Sequence, residues 1–123
     1  MENTFLTSSI KQFEYYKSLG DKTFNQLTNE DLHWQLHEHH NSISIIVKHI
    51  VGNMLSRWTN FLTEDGEKEW RHRDSEFIDS YKTKADVIES WNKGWNCLFD
   101  ALKPLKNEDL ERIKQDLVKL STE

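Results

Sequence analysis

His49, Asn53, Ser56 and Asn60 recur at four-, three- and four-residue steps, so on a helix they form one polar line. Arg57 projects beside it. An imidazole near neutral pH can take or give a proton or bind a metal ion. An amide and a guanidinium one and two turns away could line a pocket around it. Such a line is either the wet edge of a core or the wall of a site. A second concentration of imidazoles is HWQLHEHH at 33–40, which holds four of the six histidines. His33 and His37 would share a face if that tract were helical. No strong zinc spacing such as HExxH is present, and the tract reads as a polar linker rather than a built metal site. Arg71 and Arg73 could bind an anion, but Glu67, Glu69, Asp74 and Glu76 lie close enough in sequence to pair with them, which is the preferred reading. Cys97 stands alone among apolar helical positions and reads as a buried, inert thiol; no disulfide is possible within the chain. No spacing supports a Ser/His/Asp or Cys/His arrangement.

The elements that must position these residues are helices. Asn41 and Ser42 read as an N-cap. Ile43, Ile46, Val47, Ile50, Met54, Trp58 and Phe61 then predict one apolar face of a helix of about six turns, ended by Asp65-Gly66. Residues 3–26 predict an earlier helix, with Leu6, Ile10, Phe13 and Phe24 near one face and Gly20 inside it as a point of close approach or early termination. Residues 83–103 predict a third, opened by a Thr83/Asp86 capping box, striped by Val87, Trp91, Trp95, Leu98 and Leu102, and closed by Pro104. Residues 107–121 predict a last short amphipathic helix with Leu110, Ile113, Leu117 and Leu120. The motif Leu27-Thr28-Asn29-Glu30-Asp31-Leu32 returns as Leu105-Lys106-Asn107-Glu108-Asp109-Leu110, and both copies read as equivalent helix-start corners. Residues 65–82 form a connection long enough to be functional or packed across the body. The expected class is all-α: a four-helix bundle of three long helices and a short C-terminal one.

With 123 residues the chain fits one domain, 1–123. Charged residues make up 30% and mean hydropathy is -0.81, which suits a soluble protein. The formal charge of -5 is spread without a basic block, which argues against nucleic acid as a partner. No apolar run approaches a membrane span of about 20 residues, and the N-terminus lacks the basic start and apolar core of a signal peptide. A cytoplasmic location is expected.

The stretch NSISIIVKHIVGNMLSRWTNFLTEDGEKEWRHRDSEF resembles an uncharacterised bacterial branch of the DinB-like superfamily. The resemblance runs from about residue 10 to residue 110. It is densest in Lys48-His49-Ile50, Gly52-Asn53, Ser56-Arg57-Trp58 and Asp65-Gly66-Glu67-Lys68. It implies an up-down-down-up four-helix bundle, often a homodimer. It also implies a divalent metal, nickel or zinc, on three histidines: one from the second helix and an HxxxH pair from the fourth. Some relatives are metal- and thiol-dependent transferases or isomerases. His49 matches the second-helix ligand, with Asn53 and Arg57 lining the pocket. The HxxxH pair has no counterpart, because the chain has no histidine after His72. The metal site expected on this chain is therefore incomplete. Rescue would need His33, His37, His39, His40, His72 or a second chain to reach the same point. The alternative is a non-catalytic bundle without metal that acts through homodimerisation or partner binding.

Overall fold

The computed structural model describes residues 4–105 and Asp109. Among these the chain is all helical, with α1 at Thr4–Gln26, α2 at Asn29–His33, α3 at Ile43–Trp58 and α4 at Lys84–Leu102. A 3-10 turn at Arg73–Phe77 interrupts the connection from α3 to α4. The predicted C-terminal helix at 107–121, and with it the second copy of the corner motif, lies outside the described residues.

Local chemistry sets most of the boundaries. Thr83 caps α4: its hydroxyl accepts from the Asp86 N–H at 3.2 Å, and the Asp86 carboxylate accepts from the Thr83 N–H at 3.2 Å. The Thr28/Asp31 pair does the same for α2, at 3.1 and 2.9 Å. Leu32 then pins this corner to the core as a fully buried side chain. The expected stripe of α4 is the core itself: Val87, Trp91, Trp95, Leu98 and Leu102 are all buried. Along this stripe α1 runs antiparallel. Phe13 meets Trp95 and Phe24 meets Trp91, with ring centroids 6.3 and 5.2 Å apart. Gly20 is a point of close approach, since a Cβ there would lie 2.4 Å from the Trp91 ring. That ring is fixed by its own N–H donating to Asp21 at 3.0 Å.

On the other side, α3 runs parallel to α4. Val51 and Met54 lie against Gly94, and Thr59 lies against Cys97 with Oγ1 and Sγ 3.5 Å apart. Parallel neighbours cannot be joined by a tight turn. The chain must travel back along the length of α3, about 24 Å at 1.5 Å per residue, and residues 59–83 make that return. This crossover is why the long connection exists.

Two expectations for α3 are corrected. The helix does not run about six turns to Asp65-Gly66; it ends at Trp58, capped by Thr59 in extended conformation. Asn60 follows at φ 51, in the left-handed region that an asparagine tolerates and a continuing helix cannot use. The buried face is also rotated from the expected one. Ile46 is exposed, whereas Ile45, Val51 and the serines Ser44 and Ser56 are buried. The serines are buried because the crossover lies over them: Ser44 donates to Asp79 at 3.0 Å and Ser56 donates to the Gly66 carbonyl.

Candidate functional site

The crossover is pinned to α3 around Glu76. Lys48 donates from Nζ to the carbonyls of Ser75 at 2.7 Å and Ile78 at 3.0 Å, one on each side of Glu76-Phe77. The 3-10 turn so held drives the Glu76 side chain onto the helix at Gly52. A Cβ at position 52 would lie 2.0 Å from Glu76 Oε2, so only glycine leaves room for the carboxylate.

Glu76 is 5% exposed, and its carboxylate receives three hydrogen bonds. Arg71 donates from Nε to Oε2 at 2.9 Å and from Nη2 to Oε1 at 3.1 Å. His49 Nδ1 lies 2.9 Å from Oε1. Burial works against the charge, but the Arg71 and His49 hydrogen bonds and the charges of those two groups outweigh it and hold the Glu76 carboxyl below the ordinary glutamate value. An ionised carboxylate only accepts, so Nδ1 of His49 carries a proton. Nε2 takes no part in the network, and the His49 side chain is about half exposed (48%). Phe77 stacks on the ring, with centroids 5.8 Å apart and planes 28° from parallel. The result is an imidazole of fixed tautomer and fixed plane, with one nitrogen left for something else.

The other candidate residues stand as follows. Asn53 is half-buried one turn beyond His49 on α3 and makes no side-chain hydrogen bond among the described residues. Arg57 is directed at the turn after α3: its side chain packs on Gly66, and Nη2 lies 3.6 Å from Glu67 Oε1. Arg73 donates to the same Glu67 oxygen at 2.8 Å. The pairing expected for Arg71 and Arg73 with nearby acids is therefore what the structure holds. Cys97 is partly buried between Thr59 and the Met54 carbonyl. An apolar cleft of 330 Å³ lies elsewhere, lined by Phe5, Leu6, Phe13, Tyr16, Trp58 and Leu102 among others, and includes none of His49, Asn53 and Arg57.

The histidine tract does not converge on His49. His33 ends α2 with both ring nitrogens on backbone carbonyls, Asn29 at 2.9 Å and Tyr81 at 2.8 Å. Trp34 is extended, so His33 and His37 do not share a helix face. His37, His39 and His40 form an exposed cluster of their own, with the rings of His37 and His40 3.6 Å apart. Among the described residues no three His, Cys, Asp or Glu side chains are placed to hold one metal ion. The described donors near His49 do not by themselves fit the three-histidine metal site.

The sequence named Lys48 and Gly52 only within the resemblance and Glu76 only as an acid near Arg71 and Arg73; it gave none of the three a place in the site around His49. Gly52 carried the available signal: a glycine inside a helix costs about 1 kcal/mol relative to alanine, and here something large approaches it.

The described residues form an all-helical structure with a carboxylate-oriented histidine on its second long helix. Residues 1–116 match the family model described as a protein of unknown function (DUF1572), and the chain belongs to that family. No curated protein and no solved structure matches it. No helix among the described residues is long and apolar enough to cross a membrane.

Proposed function

We propose that this is a DinB-like bundle whose working group is the His49 imidazole, held by Glu76 as a proton acceptor for a small ligand. The observation that carries the reading is the buried Glu76 carboxylate shared between Arg71 and His49 Nδ1. A residue kept only to fill space needs no such orientation. A catalytic or ligand-binding imidazole does, because its partner fixes which nitrogen is free. The up-down-down course of α1, α3 and α4 supports the DinB-like reading, as does the position of His49 on the second long helix. The thiol-using relatives of the resemblance suggest a substrate class: a low-molecular-weight thiol could pass its proton to Nε2 and leave as the thiolate.

A divalent ion on Nε2 is the second reading, since metal-ligating histidines commonly donate their other N–H to a carboxylate. It requires donors from outside the described residues or from a second chain, so no chemical step is routed through it. Homodimerisation, the non-catalytic alternative, is favoured by the exposure of Phe77, which stacks on the His49 ring, and of Ile46 and Ile78.

The test is acylation of the untagged protein with diethyl pyrocarbonate, mapped by peptide mass spectrometry, with metal content measured on the same sample and on His49→Ala. Rapid modification of His49, slowed in Glu76→Gln, with no stoichiometric metal supports the proton-acceptor reading. A His49 no more reactive than His33 would overturn it. One tightly bound ion per chain that disappears in His49→Ala would replace it with the metal reading.

A further inference from the structure

His33 lies outside this site and has an environment that a neutral imidazole cannot satisfy. Nδ1 is 2.9 Å from the Asn29 carbonyl and Nε2 is 2.8 Å from the Tyr81 carbonyl. Both partners only accept. A neutral ring has one N–H and would leave one carbonyl facing a nitrogen lone pair; the imidazolium donates to both. The Asp79 carboxylate, 3.5 Å from Nε2, supplies the opposite charge and is itself held by the buried Ser44 hydroxyl of α3. Three other charged groups of these elements have partners of their own, while Glu30 of α2 and Lys82 of the 78–82 stretch also carry charge at this corner. Lys84 donates to the Leu27 carbonyl, Asp31 accepts from Thr28, and Lys48 donates to Ser75 and Ile78.

These contacts join three elements at one ring. The end of α2 is tied to the 78–82 stretch, and that stretch follows directly on the 3-10 turn that carries Glu76. The sequence separation of the Tyr81 contact, 48 residues, makes it a tertiary clamp and not a local turn.

We propose that His33 is a pH-operated latch: as an imidazolium it fastens the 78–82 stretch to α2, and loss of one proton releases that fastening and loosens the crossover that carries Glu76. The Asn29 carbonyl is the main influence raising the His33 pKa. Partial burial opposes it, and the Tyr81 carbonyl and Asp79 add to the rise. A histidine raised in the folded state contributes stability that is complete below its unfolded value, about 6.5. The contribution is lost as pH rises through the folded value.

Two measurements test the latch. In long-range 1H–15N spectra of the whole protein, both His33 nitrogens are expected to keep their protons at the ordinary histidine value and to lose one in a single transition above it. A ring that loses its proton at or below that value would overturn the proposal, and this reading needs no variant. Urea midpoints of the wild type and His33→Gln are then compared between pH 6 and pH 8.5. The wild type is expected to lose stability relative to the variant across that range, with amide exchange at residues 79–82 accelerating beyond the intrinsic base-catalysed rise. Midpoints that run parallel in the two proteins would show that the ring does not fasten the segment.

Discussion

Replacing Gly52 by alanine sets two helix effects against each other. Alanine in a helix interior is favoured over glycine by about 1 kcal/mol. The new methyl, however, would sit 2.0 Å from Glu76 Oε2 and 2.7 Å from its Cδ, whereas ordinary contact begins at 3.4 Å. A carboxylate at the end of a side chain could normally swing away. Here it is held by two hydrogen bonds from Arg71 and one from His49, and the Arg71 side chain is 5% exposed. If the 3-10 turn shifts as a unit, the cost is that of overpacking, about 1–3 kcal/mol. If the ion pair opens, Arg71 is left buried without its counter-ion, at about 3–5 kcal/mol. After the helix gain of about 1 kcal/mol, the expected net destabilisation is about 0–2 kcal/mol by the first route and about 2–4 kcal/mol by the second. Urea unfolding followed by circular dichroism reads this directly. With a slope of about 1–3 kcal/mol per molar urea, a loss of about 2 kcal/mol lowers the midpoint by about 1 M. A midpoint raised by about 0.5 M, as for a helix alanine that meets nothing, would refute the packing of Glu76 on Gly52. The paired control is Gly52→Ala in a Glu76→Ala background, where the methyl has room and the same substitution is expected to stabilise by about 1 kcal/mol.

Glu76 also predicts the acid limb of the stability profile. Its carboxyl is held below the ordinary value, so its contribution is present above the unfolded value of about 4.3 and is lost as pH falls through the lower folded value. Urea midpoints of the wild type and Glu76→Gln should therefore converge on acidification below about pH 4; a constant gap would contradict it. Thr83→Ala removes the hydroxyl that caps α4 and is expected to destabilise by about 1 kcal/mol, read as a fall in the thermal midpoint. No change would mean that the cap is replaced by water at no cost.

The parts of the fold legible in the sequence were those written within a few residues of one another. The α4 stripe and its capping box follow from three- and four-residue spacing and from Thr83 preceding Asp86 by three. The Thr28/Asp31 corner is legible for the same reason. The end of α3 was obscured because Trp58 and Phe61 continue the apolar spacing past the point where Asn60 turns the backbone left-handed. Its buried face was obscured because the burial of Ser44 and Ser56 depends on Asp79 and Gly66, which reach them from the crossover. The candidate site divides in the same way. His49 stood out by residue type and by its place on the polar line. Its partner Glu76 did not, since a glutamate 27 residues away in a charged connection has no spacing that ties it to a helix. The Arg71 pairing was legible as local charge balance, but not that the pair would be buried.

The most direct measurement is the tautomer of His49, read from long-range 1H–15N correlations of the uniformly labelled protein at neutral to mildly alkaline pH, alongside Glu76→Gln. In the wild type the neutral ring is expected to carry its proton on Nδ1 and leave Nε2 unprotonated, and the variant should lose that preference. A neutral His49 protonated on Nε2 in the wild type would mean that Glu76 does not orient the ring, and the proposed proton acceptor would not exist.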